Sequence, residues 1–129
     1  MAKPTHKDAD LMLQLVRSWP VEATDWIWSD EFIPDSKEFA AKHAGDGKGF
    51  AQIRAVLNWY ETIGTLHKHG LLNEDLLFDW LAIELTWDRM KSHALGWRQE
   101  IGNPHMYENF EAMANAQRDW AARRDHVAP

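Results

Sequence analysis

The chain has 129 residues, 45% hydrophobic and 26% charged, enough to bury one core without a metal or disulfide staple. A formal net charge of −6 argues against a nucleic-acid binder that relies on bulk electrostatics. Zero cysteines exclude a disulfide, a thiolate zinc site and a cysteine nucleophile, and no apolar run approaches the roughly 18–20 residues that span a bilayer.

Strand signals are nearly absent, whereas helix punctuation recurs along the chain. Thr5 and Asp8 form a capping-box pattern that opens a helix over about residues 6–18, stopped by Pro20. A second helix is expected from about Pro20 to Asp30. Asp35 with Glu38 starts a short third one, which ends at Gly45. "GDGKG" (45–49) reads as a flexible connector. It lacks the Ser or Thr that follows Gly-Lys in a phosphate-binding loop, and its single Asp46 is too few carboxylates for a calcium loop.

From Phe50 to His69 the period is helical, with Ile53, Val56, Leu57, Tyr60, Ile63, Gly64 and His67 on one face. Gly70 is placed as a left-handed cap, and Asn73 caps the next helix with Glu74 and Asp75 at its positive end. Trp80, Ile83, Trp87, Met90, Ala94, Trp97 and Ile101 form one stripe across 74–101, as a single helix or as two joined near Ala82–Leu85. Asn103 and Pro104 suit the start of a final helix whose inner face carries Met106, Phe110, Met113, Gln117 and Trp120. The expectation is an all-α, single-domain irregular bundle of six or seven helices over 1–129, with residues 1–5 and 122–129 as frayed termini. The eight tryptophans fit core packing, with one of Trp26 and Trp28 left exposed.

The chemistry-bearing residues do not assemble into a recognisable catalytic pattern. His67 and His69 lie two apart, diverge by about 200° on a helix and cannot chelate together. His69 therefore faces outward near the carbonyl end, and His67 faces inward and needs a partner. Glu-x-x-His, His-Glu-x-x-His and Gly-x-Ser-x-Gly patterns are missing. His105 with Glu108 is a weak reversed pair. Glu84 with Asp88 suits a solvated face beside Arg89 and Lys91. A helix-turn-helix over 50–81 is disfavoured because its second helix carries Glu74, Asp75 and Asp79, which repel phosphate.

The stretch "IRAVLNWYETIGTLHKHGLLNEDLLFDW" (53–80) and the later "NPHMYENFEAMA" (103–114) resemble a bacterial family catalogued as a domain of unknown function. The matching positions are Asn58, Glu61, Gly64, Gly70, Asp75 and Asn109-Phe110-Glu111, and the resemblance covers about Leu11 to Ala114. It implies an all-helical fold and brings no established activity or catalytic residues. Helix packing accounts for Gly64 and capping for Gly70 and Asp75. Asn58 and Glu61 bond to a neighbouring helix or loop, or belong to a recognition surface.

Two functional expectations stand. The first is a cytoplasmic, non-catalytic regulatory or protein-interaction module, self-associating or with a protein partner, without nucleic acid, membrane insertion, metal or cofactor. The second is a small-molecule-binding or enzymatic bundle with an aromatic pocket near His67, Tyr60 and Trp80, in which Glu61 and Asn58 also serve binding.

Overall fold

The computed structural model describes residues 3–45 and 47–127, with side chains up to Arg124. Asp46 of the expected connector, and residues 1–2 and 128–129 of the expected frayed ends, lie outside the described residues. The described chain forms seven helices and no strand: α1 (His6–Arg17), α2 (Val21–Ile27), α3 (Ser36–Lys42), α4 (Gly47–Lys68), α5 (Glu74–Trp80), α6 (Ile83–Ile101) and α7 (Glu108–Val127).

Local chemistry sets most of the helix ends. Thr5 and Asp8 close a reciprocal capping box on α1, Asp35 accepts from the Glu38 N–H, and Asn73 accepts from the Leu76 N–H. At the end of α4, Gly70 takes φ +71°, a conformation that a side chain would strain. The Gly70 N–H then bonds the His67 carbonyl and the Leu71 N–H bonds the Leu66 carbonyl, so the last turn closes as a Schellman motif.

The long helices α4, α6 and α7 pack on one another, with α2 against α4, α3 against α6 and α1 against α5. Their shared core takes Ile53, Val56, Leu57, Tyr60 and Ile63 from α4, Ile83, Trp87 and Met90 from α6, and Phe110, Met113 and Ala114 from α7. All of α4's expected inward face is buried except His67, which is half-buried. Trp59 and Trp87 are buried, Trp19, Trp26, Trp80, Trp97 and Trp120 are half-buried against the core, and Trp28 is 48% exposed beneath the Arg89 guanidinium. Ile101, the last residue of α6, departs from the expected stripe at 61% exposure.

Two boundaries differ from the sequence reading, and a third settles an alternative that it left open. First, the connector at 45–49 is shorter than its glycines suggest. Gly45 carries the positive φ, while Gly47 and Gly49 are already helical and Gly49 is buried. Second, Asn103 and Pro104 start a turn rather than a helix. The Asn103 side chain accepts from the His105 N–H, and α7 begins only after Tyr107, which has φ +60°. Third, of the two alternatives for 74–101 the chain takes the two-helix one, with the break at Leu81 and Ala82.

Gln117 from α7 completes that break. Its Oε1 accepts from the N–H groups of Ile83 (2.9 Å) and Glu84 (2.7 Å), and its Nε2 donates to the carbonyls of Phe78 (3.1 Å) and Leu81 (2.7 Å). One buried amide thus serves both the carbonyl end of α5 and the N–H end of α6, adding to the bond that the Ile83 N–H makes to the Leu81 carbonyl across the break.

Candidate functional site

The residues singled out on α4 converge on the start of α7. The Asn58 carbonyl oxygen Oδ1 accepts from the Tyr107 hydroxyl at 3.0 Å, and Glu61 Oε1 accepts from the Phe110 N–H at 2.8 Å. Asn109 Nδ2 donates to the Thr65 hydroxyl at 3.1 Å. Between them Gly64 lies against the backbone of Asn109 and Phe110, so close that a Cβ there would sit 2.5 Å from the Asn109 carbonyl oxygen. Glu61 serves as a cap supplied by another helix, its carboxylate facing the positive end of the α7 dipole. Burial nevertheless pushes its pKa above the usual carboxylate range, against the pull of the Phe110 and Asn109 N–H groups.

On the far side of the junction, Arg98 secures the turn that feeds α7. Its Nε donates to the Met106 carbonyl at 2.6 Å and its Nη2 to Glu111 Oε1 at 3.0 Å. These bonds hold Tyr107 in its left-handed conformation, one that a residue with a Cβ seldom adopts.

Tyr60 is 2% exposed, stacked on Phe110 at 4.7 Å, with its hydroxyl 3.3 Å from that of Thr86. Burial raises its pKa. Trp59, edge-on to Tyr60 at 5.1 Å, links it to Trp80 at 6.4 Å, and Trp80 also lies edge-on to Trp19 at 6.1 Å. His67 meets neither. Its Nε2 lies 2.9 Å from Glu74 Oε2 and its ring packs 5.4 Å from Phe78, so it ties the end of α4 to the start of α5. An open cleft of about 370 Å³ runs beside His67, lined by Gly64, Lys68, Glu108 and Asn109. Asn58, Glu61, Tyr60 and Trp80 are not part of its lining.

The remaining acid and base candidates are also engaged. Glu84 pairs with Arg118 at 2.9 Å, Asp88 with Lys91 at 3.8 Å, and His105 with Glu108 at 2.8 Å on the exposed surface. Among the described residues no cluster of three or more histidines and carboxylates is arranged to hold a metal ion, and no helix is long and apolar enough to cross a membrane.

A second region was not singled out by its sequence. A cleft of about 600 Å³ opens between α3, the first turns of α4, the C-terminal half of α6 and the turn before α7. Phe50, Trp97 and Tyr107 supply aromatic lining, with Arg54 from α4 and Lys37 from α3. Neither cation makes an ion pair among the described residues. Ser92 on α6 accepts from the Ser36 N–H at 2.9 Å and so docks α3 as one wall.

His93, 2% exposed, lies in this lining. Its Nε2 donates to the Ile33 carbonyl at 2.9 Å, and the ring contacts Phe32 and Phe39. Burial lowers its pKa, which keeps it neutral with the proton on Nε2. A periodicity signal for it does exist: Thr86, Met90, His93 and Trp97 recur every three or four residues along α6, next to the apolar stripe.

The size and lining of this cleft suit a small ligand or a short segment of another molecule. Of its lining, His93 is committed to the Ile33 carbonyl, and the Ser36 backbone N–H bonds the Ser92 hydroxyl.

Comparison with known proteins finds one family: residues 10–120 match the family described as Domain of unknown function (DUF4760). No curated protein and no solved structure matches the chain.

Proposed function

The chain belongs to the DUF4760 family of domains of unknown function, and from that premise we propose that it is a non-catalytic binding module of the regulatory or protein-interaction kind. Its recognition surface is the cleft between α3, α4 and α6. One observation carries this reading. The polar residues of the α4–α7 junction are committed to fold partners, whereas Arg54 and Lys37 stand without ion-pair partners beside an aromatic-lined cleft of about 600 Å³. Charged groups left unpaired next to apolar surface are the usual features of a recognition site.

This reading has more support than a pocket built from His67, Tyr60 and Trp80. His67 lies apart from Tyr60 and Trp80, which Trp59 bridges, and the cleft of about 370 Å³ beside His67 is lined by neither of them. A fragment screen on the isotope-labelled protein, read by amide chemical shifts, tests the proposal. Hits are expected to move Lys37, Phe50, Arg54 and Trp97. Hits confined to the His67 side, or none in a broad library, overturn it.

A further inference from the structure

We propose that the α3–α4–α6 cleft recognises a monoanion: a single carboxylate carried on an apolar body about the size of an aromatic side chain. The inference rests on the reading of this cleft as the binding surface and adds the chemistry of its occupant. Three properties of the lining argue for it.

The first is charge. The chain as a whole carries −6, yet the fixed charges lining this cleft are Lys37 and Arg54 against Glu100 alone, a local excess of one positive charge. One carboxylate balances that excess. A dianion such as a phosphate monoester would leave a net negative charge beside Glu100.

The second is hydrogen-bonding geometry. A guanidinium presents a planar fork matched to the two oxygens of a carboxylate, and an ammonium from a second element adds a point charge. Arg54 and Lys37 come from different helices, α4 and α3, so the cleft offers a carboxylate cations from two elements of its lining. The Arg54 charge also acts on the Tyr107 phenol of the same lining, opposing the rise in its pKa that burial causes.

The third is the apolar surface. Phe50, Trp97 and Met106 line the same cleft, and Trp97 and Tyr107 have their rings 6.3 Å apart, giving an aromatic ligand faces to pack on. His93, neutral and buried, adds no charge to that wall. A volume of about 600 Å³ holds a phenyl or indole body with a short chain.

Free aromatic acids and the C-terminal residue of a peptide share this chemistry, and the experiment separates them. Titration calorimetry on the full chain uses 4-phenylbutanoate, 4-phenylbutan-1-ol, 4-phenylbutylamine and phenyl phosphate, plus the peptide acetyl-Gly-Gly-Phe with a free carboxylate and with an amidated end. The expected result is that 4-phenylbutanoate binds and that the alcohol and the amine bind at least 10-fold more weakly. Arg54→Gln should weaken 4-phenylbutanoate about 10-fold or more, the scale of one charge-assisted hydrogen bond lost. Lys37→Gln should weaken it by a smaller factor, and Lys68→Gln, outside this cleft, should leave it unchanged.

Binding of the free-carboxylate peptide alongside its amide's failure identifies a chain end as the source; its failure beside a bound 4-phenylbutanoate identifies a small acid. Both exposed variants are checked for an unchanged melting temperature, and Lys37→Gln serves as the readout if Arg54→Gln melts early. An alcohol, amine or phenyl phosphate that binds as tightly as the carboxylate overturns the inference but leaves the binding module standing. No binding by any probe overturns both.

Discussion

Replacing Gly64 with alanine tests how the α4–α7 junction is held. The added Cβ would lie 2.5 Å from the Asn109 oxygen, 2.6 Å from its carbonyl carbon and 2.9 Å from the Phe110 nitrogen, where ordinary contact begins near 3.4 Å. The obstacle is backbone, which cannot rotate aside, so the start of α7 must retreat by about 1 Å to restore normal contact. Such a shift stretches the Glu61–Phe110 bond of 2.8 Å past the limit of a useful hydrogen bond. Overpacking costs about 1–3 kcal/mol and the bond to a charged acceptor about 1.5–3 kcal/mol. The helix gains about 1 kcal/mol from losing a glycine. The net expectation is destabilisation by about 2–4 kcal/mol, read as a urea midpoint lower by about 1–2 M at unchanged slope. Gly47→Ala is the control, since a Cβ there meets nothing within 4 Å, and it should be neutral or stabilising by up to about 1 kcal/mol. If Gly64→Ala matches Gly47→Ala, the two helices are not in the close contact described, and the reasoning fails.

Other consequences follow from single side chains. Gln117→Leu strips partners from two carbonyls and two N–H groups at the α5–α6 break and should cost about 3 kcal/mol or more in thermal unfolding. Gln117→Glu keeps the acceptors but cannot donate to Phe78 and Leu81, so no rescue is expected. Glu61→Gln retains an oxygen for the Phe110 N–H and should stay within about 1 kcal/mol of the parent, while Glu61→Ala should lose about 1–2 kcal/mol. Because the folded state raises the Glu61 pKa, its contribution is full below the usual value of about 4.5 and is lost as pH rises through the raised value. Glu61→Gln should therefore gain stability relative to the parent over that window, measured by denaturant titration from pH 4 to 7. For His93 the sign is reversed. Its folded pKa is depressed below about 6.5, so the stability it supports is present above that pH and falls away as pH drops through 6.5 toward the folded value. His93→Gln should flatten that slope.

The helices were legible because their signals are local. Apolar spacing of 3.6 residues, the caps at Thr5, Asp35 and Asn73, and the stop at Gly70 each act within a few residues of where they are read. Their partners across the fold were not legible. Gln117 stands on α7's inward face in the sequence, but its role depends on a gap in a helix pair more than thirty residues away. Helix packing alone does not account for Asn58 and Glu61, and what they bond is set by a turn near residue 107. That same turn displaced the start of α7 from Pro104 to Glu108, because Tyr107 is fixed there by contacts from α4 and α6. The cleft was the least visible feature. Its lining comes from four separate segments, and Arg54 and Lys37 look like scattered surface bases until α3 is docked on α6.

A crystal of the full chain soaked with 4-phenylbutanoate tests the central claim most directly. The account places the carboxylate within about 3 Å of the Arg54 guanidinium, with the phenyl group packed against Trp97 and Phe50. Density for the ligand beside His67 and Glu108 instead, with the cleft between α3, α4 and α6 left to solvent, would contradict it.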